Sequence, residues 1–315
     1  MEISDGILDE RERIGFQLRE LYQRHGFSRY RMGKFEEYDL YSRNKDFLLS
    51  DGVITFTDTN GRLMALKPDV TLSIVKNIRD RGDGLEKLYY HENVYRVSEG
   101  ADGFREETQV GIECMGRIET RTIGEVLRMA ADSLEALEQK WVLEISHLDL
   151  LSAMVDGLAL DQGMRNRILA CAGEKNLHGI SEICREAGLG SGAENPLLEL
   201  LRSYGPYRLV MPAIRKIAEE NGCGAYTREL SETVAAFAGT EAADQIWIDF
   251  SATGDLKYYN GIAFKGFMEG IPDPVLSGGQ YDALMRRMHR KDRAIGFAVF
   301  LNRLDVLREK EAGEK

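Results

Sequence analysis

A strand-like run over residues 108–114 places polar and apolar side chains in alternation. Because successive side chains on a β-strand point to opposite faces, Gln109, Gly111 and Glu113 share one face, and the other face suits a core. An amide, a gap and a carboxylate in a row can bind a small polar or cationic ligand. A hairpin whose polar face only contacts solvent has the same pattern, so this run alone leaves both interpretations open.

The neighbouring elements must position further polar groups around this run. The run is the second strand of a predicted hairpin over residues 87–116, and Arg96 ends the first strand, where its guanidinium can hold an anion. Upstream, residues 53–56 and 62–66 are predicted as short strands joined by DTNG, a hairpin-turn sequence. A predicted helix over residues 70–79 follows them.

Helix and strand patterns come in blocks along the chain, without regular βαβ alternation. Residues 149–241 show amphipathic helices broken by Gly and Pro, and we interpret them as a helical insertion. The later predicted elements are strands at 245–250, 257–267 and 294–300, a glycine turn into a helix at 277–282, and a closing helix at 301–310. This order predicts an α+β fold on a mostly antiparallel sheet flanked by helices. The predicted domains are residues 1–148 with 242–315, and the insertion at 149–241.

Composition and charge narrow the classes of function. The 315 residues carry a net charge of −11, with a pI near 5.2, which argues against a protein whose main task is binding nucleic-acid backbones. The four cysteines lie far apart without a CxxC pair, and the five histidines are scattered, so we expect no metal site and no disulfide framework. We also expect no cofactor, no membrane segment, and a cytoplasmic location.

Four separated stretches together resemble the catalytic domain of class II histidyl-tRNA synthetases. They are LMALKPDVT at residues 63–71, the hairpin segment 94–116 with Arg96, KYYNGIAF at 257–264, and the segment 278–303 from GGQYD to GFAVFLNR. In order, they are similar to that family's substrate segment, motif 2, histidine-specific segment and motif 3 region. The resemblance covers about residues 1–310 and implies the class II synthetase-like catalytic-domain fold.

The resemblance also implies a binding site for free histidine. Asp69 stands where the family has the glutamate that accepts the ammonium group, and Glu113 matches the carboxylate that faces the imidazole. Carboxylates for both nitrogen-bearing ends, with aromatic walls, suit this ligand. The predicted ligand-binding residues are Asp69, Thr71, Arg96, Gln109, Glu113, Tyr258, Tyr259 and Tyr281. For Tyr258 and Tyr259, a purely structural role in the core is the alternative.

At the nucleotide end, the chain departs from the synthetase pattern. The replaced positions are Gly254 for an arginine, Ser98 for a motif 2 glutamate, Phe300 for a motif 3 glycine and Asn302 for a motif 3 glutamate. Arg303 of motif 3 is kept, and Gly33 stands in place of the motif 1 proline. A phenyl ring where the family has glycine is expected to crowd the ATP slot. We also expect no anticodon-binding domain after motif 3.

This combination resembles the regulatory-subunit family of ATP phosphoribosyltransferase, whose members are synthetase paralogues. The resemblance implies a chain with no catalytic residues and no aminoacylation, required for the first step of histidine biosynthesis. Its implied partners are the short-form catalytic subunit, copies of itself within a hetero-octamer, and free histidine as feedback effector, without tRNA. Two alternatives remain: a truncated histidyl-tRNA synthetase-like enzyme that forms histidyl-adenylate, and a stand-alone histidine-binding module.

Overall fold

The computed structural model describes residues 8–48, 52–80, 84–97, 103–251, 256 and 258–306. Within these residues, no helix is both long enough and apolar enough to cross a membrane. The chain forms two compact units. Unit 1 comprises residues 1–118, 132–140 and 267–315, and unit 2 comprises residues 119–131 and 141–266. The division into 1–148 with 242–315, and 149–241, stays a prediction.

Helices and strands come in blocks along the described chain. The α-helices are α1 (Glu10–Arg24), α2 (Tyr38–Ser42), α3 (Thr71–Asn77), α4 (Thr120–Glu135), α5 (Leu148–Asp156), α6 (Gln162–Gly173), α7 (Leu177–Glu186), α8 (Asn195–Arg202), α9 (Tyr207–Glu220), α10 (Gly224–Val234) and α11 (Asp282–Arg287). The strands are β1 (Ser28–Arg29), β2 (Phe35–Glu37), β3 (Thr55–Thr57), β4 (Leu63–Leu66), β5 (Leu85–Val97), β6 (Phe104–Gly116), β7 (Trp141–His147), β8 (Gly205–Pro206), β9 (Ile246–Ile248), β10 (Asn260–Met268), β11 (Leu276–Gln280) and β12 (Arg293–Phe300).

Unit 1 is built on a mostly antiparallel sheet in the order β1–β5–β6–β12–β11. The short β1 pairs in parallel with β5, whereas the β5–β6, β6–β12 and β11–β12 pairs are antiparallel. A smaller antiparallel sheet, β2–β4–β3, contributes the segment that leads into α3. From Gln109 to Gly116, both faces of β6 are buried. The alternative of a hairpin with one solvated face is therefore wrong for this stretch.

The N-terminal helix α1 shows how local sequence sets these elements. Asp9 and Glu12 form a capping box, in which each side chain accepts a hydrogen bond from the other residue's backbone N–H, at 2.9 and 3.0 Å. Leu18 and Tyr22 point into the core and are fully buried. Gly26, just beyond the helix end, has a φ of +82°, a conformation that glycine adopts without strain.

Unit 2 combines the helices α5 to α10 with strands in the order β10–β7–β9–β8. β7 pairs in parallel with β9, and β8 pairs antiparallel with it. The helical character predicted for residues 149–241 is confirmed, apart from the two-residue β8. His147 begins α5, where its Nδ1 accepts a hydrogen bond from the Leu150 N–H at 3.4 Å.

Two predicted elements differ from the structure. Residues 277–280 are predicted as a turn but belong to strand β11, because their glycines lie between close-packed strands. The closing segment begins as a 3₁₀ turn at Leu301–Leu304, and residues 307–310 of the predicted helix lie outside the described residues.

Candidate functional site

The centre of the candidate site in unit 1 is the buried carboxylate of Glu113. Its Oε1 accepts a hydrogen bond from the Thr71 hydroxyl at 2.6 Å, and its Oε2 accepts one from the Tyr281 hydroxyl at 2.6 Å. The three side chains come from β6, the start of α3 and the residue after β11. Glu113 is 2% exposed, so two neutral hydroxyl donors take the place of solvent around its carboxyl group. The structure thus brings three of the predicted residues into direct contact.

Two glycines permit close approaches in this part of the sheet, and one of them makes the space for this carboxylate. Gly296 of β12 lies opposite Glu113, and a Cβ at Gly296 would collide with Glu113 Oε2. Gly111, two residues before Glu113, lies opposite Tyr90 of β5, and a Cβ there would come within 2.5 Å of the Tyr90 hydroxyl. At the gap predicted at Gly111, the Tyr90 hydroxyl therefore approaches the backbone so closely that only glycine fits at this position.

Burial raises the pKa of the two carboxyl groups that are predicted to face the ligand. Desolvation raises the pKa of Glu113 to about 8, although the hydrogen bonds from Thr71 and Tyr281 lower it. Desolvation also raises the pKa of Asp69, against the backbone N–H groups of Leu72 and Thr71 and the positive charge of Arg96. Leu72 N–H donates to Asp69 Oδ1 at 2.8 Å. A cation placed next to these two carboxyl groups would therefore be stabilised.

Gln109 and Arg96 meet at a carboxylate that sequence reasoning missed. Glu107 is 3% exposed, and its Oε1 accepts a hydrogen bond from Gln109 Nε2 at 2.7 Å and lies 3.5 Å from Arg96 Nη1. Arg96 Nε also donates to the carbonyl of Pro68 at 3.3 Å. Arg96, predicted to hold an anion, thus contacts a carboxylate of the chain itself. The side-chain alternation that puts Gln109 on the ligand face of the strand also puts Glu107 on that face. This alternation could have identified Glu107 from the sequence.

At the sequence positions that resemble the nucleotide end of a synthetase, the side chains make contacts within the chain itself. Phe300 lies opposite Gln109 in the β6–β12 pairing and is 3% exposed. The guanidinium carbon of Arg303 lies 4.1 Å from the Phe300 ring centroid, and Arg303 Nη1 donates to the Pro274 carbonyl. Asn302 Oδ1 accepts a hydrogen bond from the Thr108 N–H at 2.7 Å.

Tyr258 and Tyr259 belong to unit 2, where their rings contact edge to face with centroids 4.7 Å apart, and Tyr258 is 7% exposed. Gly254 and Ser98 lie outside the described residues. Among the residues that the structure describes, no group of three or more His, Cys, Asp or Glu side chains could hold a metal ion.

The antiparallel sheet with its flanking helices is the class II aminoacyl-tRNA synthetase-like α+β fold. The family model for histidyl-tRNA synthetase matches residues 6–304, and the chain belongs to that family. Among curated relatives, the ATP phosphoribosyltransferase regulatory subunit of Clostridium kluyveri is 28% identical over 90% of this chain and 74% of its own length. The predicted resemblance to regulatory subunits is confirmed by such relatives.

Solved structures share the fold. An ATP phosphoribosyltransferase regulatory subunit/histidyl-tRNA synthetase from Bacillus halodurans aligns with a TM-score of 0.83 at 23% identity, covering 94% of this chain and 78% of that chain. A chain of the ATP phosphoribosyl transferase (HisG:HisZ) complex from Thermotoga maritima aligns with a TM-score of 0.71 at 18% identity, covering 93% of this chain and 97% of that chain.

Proposed function

We propose that this chain is a regulatory subunit of ATP phosphoribosyltransferase that binds free histidine and catalyses no step itself. The proposal rests on one observation, the difference within unit 1 between the surroundings of Glu113 and those of Arg303. The Glu113 carboxylate keeps two hydroxyl donors and a glycine-made space around it. Four residues away along β6, where Phe300 lies opposite Gln109, the motif 3 arginine Arg303 is stacked on Phe300.

The chemistry of the site supports histidine as the ligand. The Glu113 carboxylate can accept a hydrogen bond from an imidazole N–H, and Asp69 can accept from an ammonium group. Both carboxylates have a raised pKa in the empty chain, so a cationic ligand would relieve an existing cost of burial. Thr71, Gln109 and Tyr281 complete the proposed site in unit 1, and Tyr258 and Tyr259 remain proposed contributors.

The proposed partner is the short-form ATP phosphoribosyltransferase catalytic subunit. A chain that binds a metabolite without transforming it acts through a partner whose states the ligand distinguishes. The curated relatives that carry the regulatory-subunit name, and the matched chain of the Thermotoga complex, support this choice. We propose a cytoplasmic hetero-octamer in which the complex carries out the first step of histidine biosynthesis and histidine inhibits it, without a role for tRNA.

Co-expression with a short-form catalytic chain from the same organism tests the proposal. We expect the two chains to co-purify, and phosphoribosyl-ATP formation by the catalytic chain to rise when this chain is added. Histidine should inhibit only the complex. Two chains that neither associate nor change each other's activity would contradict the assignment and favour a stand-alone histidine-binding module.

Histidine-dependent ATP–pyrophosphate exchange separates the regulatory subunit from a synthetase-like enzyme. We expect the purified chain to show no exchange above background, because Phe300 and Arg303 fill the nucleotide end. An authentic histidyl-tRNA synthetase, assayed in parallel, serves as the positive control. Clear histidine-dependent exchange by this chain would make histidyl-adenylate formation its function instead.

A further inference from the structure

A lysine that pairs with one carboxylate is buried next to the candidate site. Lys67 follows β4 and is 1% exposed, and its ammonium group donates a hydrogen bond to Glu92 Oε2 at 2.5 Å. Among the described residues, Glu92 provides the one carboxylate within 4.0 Å of this ammonium group. Because a buried ammonium group without a partner is costly, the contact with Glu92 fixes where the Lys67 side chain lies.

The ion pair joins the segment of residues 67–71 to the β5–β6 hairpin. The backbone of the segment makes the same connection. The Lys67 carbonyl accepts a hydrogen bond from the Tyr95 N–H at 2.9 Å, and the Pro68 carbonyl accepts one from Arg96 Nε at 3.3 Å. Together with the ion pair, these contacts hold the start of the 67–71 segment on β5 at three points.

The rest of the 67–71 segment carries two residues of the candidate site. The Thr71 hydroxyl donates to Glu113 Oε1 at 2.6 Å. Asp69 Oδ1 accepts a hydrogen bond from the Leu72 N–H at 2.8 Å, at the start of α3. The position of both side chains therefore depends on how the segment lies on the hairpin.

The two ends of the segment meet the hairpin at different levels. Glu92 lies opposite Gln109, four residues before Glu113 on β6. Lys67 and Thr71 are likewise four residues apart along the segment. The ion pair at one end and the Thr71 hydrogen bond at the other thus fasten the segment along the hairpin.

A gain in stability does not by itself account for this ion pair. Replacing a buried ion pair by apolar side chains of similar volume is often neutral or stabilising, because the cost of desolvation offsets the attraction between the charges. An apolar pair would lack the directed hydrogen bond between Lys67 and Glu92, and it would specify the position of the segment less closely. The ion pair therefore suits a positioning role, in which supporting residues hold the side chains of a binding site in place.

We propose that the Lys67–Glu92 ion pair holds the 67–71 segment in the arrangement that binds the ligand. The pair positions Asp69 and Thr71 and does not itself touch the ligand. This inference rests on the proposed function, because it takes the candidate site to bind histidine. It adds two residues that were not among the predicted ligand-binding residues.

The double substitution Lys67→Met with Glu92→Leu tests this inference in two measurements on the full chain. Hydrogen exchange of the Leu72 N–H, measured without ligand, reports whether the contact with Asp69 has loosened. We expect this exchange to be at least about five-fold faster, whereas exchange within β6 stays unchanged. Calorimetry on the chain or its complex should show about ten-fold weaker histidine binding, although the melting temperature does not fall.

Three further variants complete the test. Lys67→Arg keeps a cation for Glu92 and should retain histidine affinity within about three-fold. Lys140→Met with Glu269→Leu makes the same change at an exposed ion pair of unit 1 and should alter neither measurement. If the first double variant does not fold, Glu92→Gln replaces it, because the amide oxygen can still accept from Lys67 while the opposing charge is gone. The same faster exchange at Leu72 is expected there.

The outcomes separate this inference from the proposed function. If a folded variant without the ion pair keeps the original Leu72 exchange rate and histidine affinity, the histidine site stands and the positioning role is wrong. Faster exchange with unchanged histidine affinity would also overturn the role, because the segment would then loosen without consequence for the ligand. If the unaltered chain and its complex bind no histidine at all, the proposed function fails, and this inference fails with it.

Discussion

Arg303 stacks its guanidinium on the ring of Phe300, with 4.1 Å between the guanidinium carbon and the ring centroid. Burial lowers the pKa of Arg303, and Glu107 and Asp273 act against that shift. Phe300 lies opposite Gln109 in the β6–β12 pairing. The stack therefore lies at the Gln109 end of the segment that carries Gln109 and Glu113.

The Phe300 ring should contribute strongly to stability. Phe300→Ala removes a side chain that is 3% exposed, and we expect a loss of about 3–5 kcal/mol in the free energy of unfolding. Denaturant unfolding measures this loss. Phe104→Ala is the control, because Phe104 is 74% exposed and should change stability by only about 0.5 kcal/mol. Equal effects in the two variants would show that the Phe300 ring is not packed as described.

Glu113→Gln should weaken histidine binding by roughly ten- to a hundred-fold, the cost of a charge-assisted hydrogen bond of about 1.5–3 kcal/mol. Glutamine keeps the volume of the side chain but removes the charge and presents only one acceptor oxygen to Thr71 and Tyr281. Calorimetry on the complex gives the affinity. Glu106→Gln, an exposed change on the same strand, should leave it unaltered, and unchanged affinity in the Glu113 variant would place the histidine site elsewhere.

The raised pKa of Glu113 predicts how the stability of the empty chain depends on pH. Its folded-state pKa of about 8 lies above its ordinary value of 4.5, so its contribution to stability is fully present below pH 4.5 and is lost as the pH rises through about 8. Between these limits, the unfolding free energy of the unaltered chain should fall relative to that of Glu113→Gln, by on the order of a few kcal/mol. Urea unfolding at several pH values measures the difference. A constant difference across this range would contradict the burial of Glu113.

Asp69→Asn should weaken histidine binding by about ten-fold or more, because it removes the charge that faces the ammonium group. The fold should survive, since the asparagine oxygen can still accept the Leu72 N–H at the start of α3. Calorimetry and circular dichroism test the two parts of this expectation. Asp39→Asn is the matched control, because Asp39 pairs with Arg43 on the surface. Loss of helix signal with the binding would instead indicate a structural role for Asp69.

The sequence predicted the β5–β6 hairpin and the shared face of Gln109, Gly111 and Glu113, because side-chain alternation is a local property of strands. It failed at residues 277–280, where glycines that resemble a turn lie in a strand instead. Gly279 lies opposite Gly296, which in turn lies opposite Glu113, so these glycines serve a close approach across strands. Such an approach depends on pairing between distant segments, which no local pattern contains.

The candidate site, too, could be predicted only in part from the sequence. Thr71, Glu113 and Tyr281 were predicted through the family resemblance, and they lie in contact. Glu107 was not predicted, because its hydrogen bond from Gln109 forms only once the chain is folded. The stacking of Arg303 on Phe300 was likewise beyond the motif comparison, which indicated only crowding of the ATP slot.

The proposed feedback by histidine would require a reciprocal relation between the two proposed partners. If histidine binds the complex and the free chain with different affinities, it changes the affinity between the two chains by the same factor by which the catalytic chain changes the affinity for histidine. We expect a factor of about 5–150 when histidine affinity is measured with and without the catalytic chain, and chain association with and without histidine. Glu113→Gln should leave assembly and basal phosphoribosyl-ATP formation unchanged while removing the inhibition by histidine, because the altered carboxylate lies in the ligand site. A variant complex that is still inhibited at the original histidine concentration would show that the effector acts outside the Glu113 site.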